Sequence, residues 1–227
     1  MKANREYKST PAGRIPSHWH VVPLKHFVRI NTAVLSEDTN LQHELFYLDI
    51  SAVSEQGLRE QPKRMTFENA PSRARRIVHS GDTLISTVRT YLRAIAFIET
   101  ADKDLIASTG FAVLTPQEPH SPKFISYLVR NEKFISMVTA ESKGVNYPAI
   151  TDTELGRFPV AFPTNRAEQD AIVSFLEMKE REIAAFIKNK RHTIELLKEH
   201  KTALINRAVM ARSKPIWPSS CQPTNPR

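Results

Sequence analysis

Basic and aromatic side chains interleave at three places in the first 150 residues, and that mixture of types suits contact with nucleic acid. The stretch LREQPKRMTFENAPSRARR (58–76) holds six basic residues against two acidic ones. STVRTYLRA (86–94) sets Arg89, Thr90, Tyr91 and Arg93 between two apolar runs, and SKGVNYP (142–148) gathers Lys143, Asn146 and Tyr147 ahead of Pro148. Arginine can bond the guanine edge with two donors, asparagine can do the same for adenine, and Ser, Thr and Lys reach phosphates. A single cluster of this kind is often only a solvated face. Three on the loops of one domain, in a chain of net charge +8, point towards duplex recognition. Base or phosphate contact is therefore expected from Arg89, Thr90, Tyr91, Arg93, Lys143, Asn146 and Tyr147. Lys63 and Arg64 are expected to hold the DNA backbone.

Catalytic patterns are missing by comparison. Six glycines leave little room for a phosphate-cradling loop of either familiar type. Asn146-Tyr147-Pro148 is not the Asn-Pro-Pro-aromatic pocket of amino-methyltransferases. Asp170 with Glu177 and Lys179 superficially follows a nuclease metal triad, but the three sit in a helical stretch with no metal geometry. His18 and His20 flank Trp19 with no third ligand nearby, which suits packing rather than metal. The chain is expected to be non-catalytic, with no metal and no cofactor of its own.

Strands must position these loops. ELFYLDIS (44–51), RRIVHSGDTLISTV (75–88), RAIAFIET (93–100) and TGFAVLTP (109–116) are rich in Val, Ile, Phe, Tyr and Thr, and Gly or Pro brackets several of them. Residues 1–20 read as an opening loop, followed by an amphipathic segment in SHWHVVPLKHFV. In SPKFISYLVRNEKFISMVTAES, Phe124, Leu128, Phe134 and Met137/Val138 predict a helix, with Ser121 as its N-cap ahead of Pro122. DTELGRFPVAFPT predicts a helical turn and then an extended strand. The expected class is α+β, with a mixed-sheet domain over residues 1–165.

From Glu168 to Met210 the chain runs forty-three residues without a proline or glycine, while the remainder holds all fifteen prolines and all six glycines. Thr164 or Asn165 can cap this helix, and Glu168 and Asp170 suit its first turns. Its apolar residues include Leu176, Ile183, Ile187, Ile194, Leu197 and Leu204, with Lys190 and Lys201 completing the register. From residue 183 the steps alternate 4, 3, 4, 3, 4, 3, the heptad signature of a coiled coil. A rise of about 1.5 Å per residue makes the rod roughly 65 Å long. With no internal repeat to supply a second rod, the expected partner for this 166–210 helix is another chain. The tail 211–227, rich in Pro and Ser, is expected to be disordered.

The one cysteine, Cys221, excludes an internal disulfide framework and suits a reducing cytosol. No apolar run approaches the roughly 20 residues of a membrane helix, and MKANREYKST has no apolar run behind its charges. A cytoplasmic protein is expected.

Four segments together resemble the specificity (S, HsdS) subunits of type I restriction-modification systems. GRIPSHWHVVPLK (13–25) is similar to the opening of such a subunit. GDTLISTVRTYLRAIAFI (81–98) and IASTGFAVLTP (106–116) are similar to core segments of its target recognition domain. NYPAITDTELGRFPVAFPTNRAEQDAIVSFLE (146–177) resembles the junction into the family's helix, with Glu168-Gln169 at the step. The resemblance covers about residues 7–210. The usual subunit has two recognition domains and two helices, so this chain looks like a half-length form. The resemblance implies a homodimer whose antiparallel helices set the spacing between two DNA half-sites. It also implies two methyltransferase subunits that carry S-adenosylmethionine for adenine methylation, and a restriction subunit that can join. The residues alone leave two alternatives: a coiled-coil DNA-binding regulatory or recombination protein, and an adaptor whose rod takes another protein's helix.

Overall fold

The computed structural model describes residues 6–209; the tail 211–227 and Cys221 lie outside the described residues. Its strands are β1 (Tyr7–Thr10), β2 (Gly13–Pro16), β3 (His20–Pro23), β4 (Val28–Ile30), β5 (Glu44–Leu48), β6 (Val53–Ser54), β7 (Gly57–Leu58), β8 (Lys63–Thr66), β9 (Ala74–Ile77), β10 (Thr83–Ser86), β11 (Ile95–Phe97), β12 (Leu105–Ser108), β13 (Phe111–Pro116) and β14 (Pro159–Phe162). The helices are α1 (Pro122–Val129), α2 (Glu132–Glu141), α3 (Asp152–Arg157) and α4 (Arg166–Val209). The class is α+β.

Two four-stranded sheets form the centre, in the orders β11-β10-β13-β4 and β8-β5-β12-β9. Every pairing within them is antiparallel except that of β12 with β5. Because side chains alternate across a strand, the apolar runs serve two faces. Ile85, Ala112 and Leu114 pack towards α1 and α2, whereas Leu84, Phe111 and Val113 pack towards Leu48, Leu105 and Ala107 of the second sheet. Leu45, Tyr47 and Ile106 fill the far side of that second sheet. Strands buried on both faces read as unbroken apolar runs, which is why TLIS and FAVLTP stood out in the sequence.

The opening segment differs from its expectation. Residues 7–23, expected as an opening loop running into an amphipathic segment, hold three four-residue strands: β1 and β2 pair as a hairpin, and β3 pairs antiparallel with β14. Most of their residues are only partly buried or exposed, so no dense apolar run marks them. The helix expected across 122–141 is two helices. Arg130 is the C-cap of α1, and Asn131 caps α2, its side chain accepting from the Lys133 N–H at 2.9 Å. Ser121 stands at the N-cap of α1 but makes no side-chain cap bond.

By contact the chain forms two units, 1–174 and 175–227. The first turns of α4 belong to the globular unit because Gln169 and Val173 are buried there. Asn165 is the cap, its side chain accepting from the Ala167 N–H at 2.8 Å. Gln169, with no solvent exposure, accepts from the Ser121 N–H and donates to the Pro163 carbonyl, each at 2.9 Å. Beside it, Glu168 accepts from Trp19 Nε1 at 3.1 Å and contacts His18 Nε2 at 3.0 Å. The Glu168-Gln169 pair thus clamps the root of α4 to the opening strands and to the start of α1.

Candidate nucleic-acid interface

Two of the three sequence clusters converge. A single 3₁₀ turn, Thr90–Leu92, joins β10 to β11, and the residues on either side of it, Arg89 and Arg93, both adopt the left-handed conformation (φ 52° and 55°). Non-glycine residues in that region carry strain and persist only where the surroundings fix them. Here the surroundings do. The Arg89 N–H donates to the Pro148 carbonyl at 2.7 Å. The Thr90 and Ser142 hydroxyls bond at 2.8 Å. Arg93 makes a two-pronged pair with Glu132 at 2.7 and 2.8 Å, which raises its pKa.

The segment 143–149 closes as a small hairpin, Lys143 and Ala149 exchanging backbone hydrogen bonds at 2.9 Å in both directions. Gly144 (φ 118°) makes its turn. At the tip Val145 is 98% exposed and Tyr147 60%, and Asn146 is exposed too. The Arg89 guanidinium lies 4.4 Å from the centre of the Tyr147 ring. Arg89 and Tyr147 therefore share one surface with Asn146 beside them, while the exposed Tyr91 lies with Arg93 against α2.

The other expected contacts stand differently. Thr90 is 5% exposed and its hydroxyl bonds that of Ser142, which shapes the turn. Arg93 is engaged by Glu132 and, at 3.6 Å, by Glu55. Lys143 pairs with Glu154 at 3.0 Å. Glu154 itself is held down to about pKa 2, first by the Thr151 N–H and hydroxyl and then by Lys143. Arg64 pairs with Glu44 at 2.6 Å. Lys63, on the edge strand β8, is exposed and forms no ion pair among the described residues.

The sequence cluster at 58–76 held more than Lys63 and Arg64. Arg59 and Arg73 line a cleft of about 670 Å³, together with Asp49, Leu92, Arg89 and Tyr147 among others. Arg73 donates to the Tyr47 hydroxyl at 3.2 Å and to Asp49 Oδ2 at 2.8 Å. Burial would raise the Asp49 carboxyl, but bonds from the Ser51 N–H, Tyr47, the Ser51 hydroxyl and Arg73 bring it below its ordinary value. Basic density marked this stretch; which arginine meets which long-range partner did not show in the sequence.

On α4, Leu176 is half-buried, while Ile183, Ile187, Ile194, Leu197 and Leu204 are exposed along the chain, as are Phe186 and Ile205. Lys179 pairs with Glu182 and Asp170 with Arg166, and His18 with Glu168. Among the described residues no group of three or more His, Cys, Asp or Glu could hold a metal. Nor is any described helix long and apolar enough to cross a membrane.

Residues 16–196 match the model of the type I restriction modification DNA specificity domain. The chain belongs to that family. Among solved structures, this specificity-domain chain is similar to the HsdS subunit from Thermoanaerobacter tengcongensis, at 27% identity and a TM-score of 0.71, covering 90% of this chain and 52% of that one. It is also similar to a chain from a study of complex assembly and conformational transition of the type I R-M system (26% identity, TM-score 0.67, 93% and 53% covered). The S subunit from M. genitalium shares the fold at 13% identity and a TM-score of 0.50, with 94% and 49% covered. This specificity-domain chain thus spans about half the length of the structures it matches. Among curated proteins none matches.

Proposed function

We propose that this chain is a non-catalytic specificity subunit of half length that reads one DNA half-site and works as a homodimer. One observation carries the dimer: a recognition unit of a DNA-specificity family continues into a 44-residue helix whose heptad residues Ile183, Ile187, Ile194, Leu197 and Leu204 are exposed. Exposed apolar residues at a 3.5-residue period want a facing helix. A second copy supplies one, and a two-fold dimer then reads an interrupted palindrome, since symmetric readers mirror their own axis.

In this reading Arg89, Tyr91, Asn146 and Tyr147 touch base edges, with Lys63 on phosphate. The chain positions methyltransferase subunits that carry S-adenosylmethionine, and a restriction subunit can join. The whole assembly works in the cytoplasm. Light scattering tests it: a dimer of about 52 kDa (twice 25.8 kDa) that takes up two methyltransferases supports the reading. A lone monomer in both settings overturns the dimer.

A further inference from the structure

The cleft beside the Arg89–Tyr147 pair is built unlike a surface that only follows a phosphate backbone. Its volume of about 670 Å³ falls within the roughly 300–1,000 Å³ of small-ligand sites. Val53, Val88, Leu92 and Ala94 give it apolar lining, and serine hydroxyls stand among them. Gly110 and Ile50 also line it, and a side chain at Gly110 would have to displace the tip of Ile50.

The charge is one-sided. Three guanidiniums, those of Arg59, Arg73 and Arg89, line the cleft against the single carboxylate of Asp49. That carboxylate is saturated: Oδ1 accepts from the Ser51 N–H and hydroxyl, and Oδ2 from Tyr47 and Arg73. Arg59 makes no side-chain hydrogen bond or ion pair among the described residues. The cleft therefore offers an aromatic face with a cation on it, apolar walls, hydroxyls and uncompensated positive charge.

These features together describe a receptor for one nucleotide. A base that leaves its stack needs a π-face and apolar walls, polar groups for its edge and a cation for its phosphate. Building on the DNA-specificity reading, we propose that this cleft receives one unstacked nucleotide of the bound DNA, its base against the Arg89–Tyr147 pair and its phosphate on Arg59. The left-handed backbone at Arg89 and Arg93 fits this role, because strain held by fixed surroundings collects at ligand clamps. Unpairing a base costs free energy, least where it is already unpaired. A duplex with one base already extrahelical should thus be favoured.

The test is a fluorescence titration of the full chain at low salt. The probes are a short duplex with one extrahelical 2-aminopurine, the same duplex fully paired, and deoxyadenosine monophosphate. The bulged duplex should bind about tenfold or more tightly than the paired one, in keeping with the stacking of a single base, and its fluorescence should be quenched. Tyr147→Ala should erase that ratio and Tyr147→Phe keep it; Arg59→Gln, changed separately, should reduce it. Equal affinity of the wild-type chain for both duplexes, with unquenched probe, would overturn the cleft proposal and leave the DNA reading standing. Failure to bind either duplex would overturn both. If the mononucleotide bound as tightly as the bulged duplex, the strand would not be the source and the proposal would fall to a free-nucleotide site.

Discussion

The guanidinium of Arg89 stands 4.4 Å from the centre of the Tyr147 ring, and the Arg89 N–H is fixed to the Pro148 carbonyl. Two loops far apart in sequence are thereby joined at one surface. Arg89→Ala and Tyr147→Ala should each weaken specific DNA binding by about 1–3 kcal/mol, roughly 5- to 150-fold. Because the two residues touch, the double change should cost less than the sum. Anisotropy with labelled target DNA reads the loss, and light scattering should show an unchanged mass. Loss of mass and binding together would point to misfolding.

Lys63 and Arg64 are neighbours with different prospects. Arg64 is neutralised by Glu44 at 2.6 Å, while Lys63 has no such partner among the described residues. Lys63→Ala should lower the slope of log affinity against log salt by about 1, evenly across DNA sequences. Arg64→Ala should change it less. Equal slopes for both variants and the wild type would remove Lys63 from the phosphate contacts.

Much of the sheet was legible because strands buried on both faces are dense in branched and aromatic residues, as in TLIS and FAVLTP. The strands YKST, GRIP and HVVP were not, since they are mostly not buried and β3 depends on a partner, β14, near the other end of the domain. The step from Leu128 to Phe134 hid a break that Asn131 makes by capping α2. At the candidate site, residue types marked the expected contacts, but pairing is long-range: nothing near Thr90 announces Ser142, nor anything near Arg93 announces Glu132.

The heptad residues of α4 give a sharper test of assembly. Ile187→Lys with Leu197→Lys places two further cations on the proposed seam, whose register already includes Lys190 and Lys201. The solution mass should fall from about 52 kDa to 25.8 kDa, because burying unpaired charge in a helix seam is strongly unfavourable. Far-UV circular dichroism should show the globular unit intact. An unchanged mass would refute the seam.

Gln169 is fully buried with both ends of its amide bonded. Gln169→Leu leaves the Ser121 N–H and the Pro163 carbonyl without their partners, at about 1–3 kcal/mol each. Calorimetry should show a fall in Tm of about 5–15 °C. A shift under about 2 °C, below what one kcal/mol produces in a chain of this size, would mean that the clamp at the helix root is not structural.

His120 gives that root a pH dependence. Its ring lies 4.2 Å from that of Phe27, and burial first, then the Arg166 cation, hold its pKa below the ordinary 6.5. The folded chain keeps this imidazole neutral where the unfolded chain takes up a proton. Stability should therefore decline as pH falls below about 6.5 and level off once the folded imidazole is also charged. His120→Phe should flatten that part of the curve in urea titrations between pH 7 and 5. An unaltered slope would assign the dependence to other groups.

The pairing of β3 with β14 has a consequence for descent. The strand that leads from the opening β1–β2 hairpin into the sheets lies beside the strand that leads out to α4, and Trp19, just before β3, is bonded to Glu168 in the first turn of α4. A module whose way in and way out coincide can be exchanged whole, or repeated along a chain, without resetting what it is attached to. On the specificity reading proposed above, new specificities can then arise by trading one cassette for another.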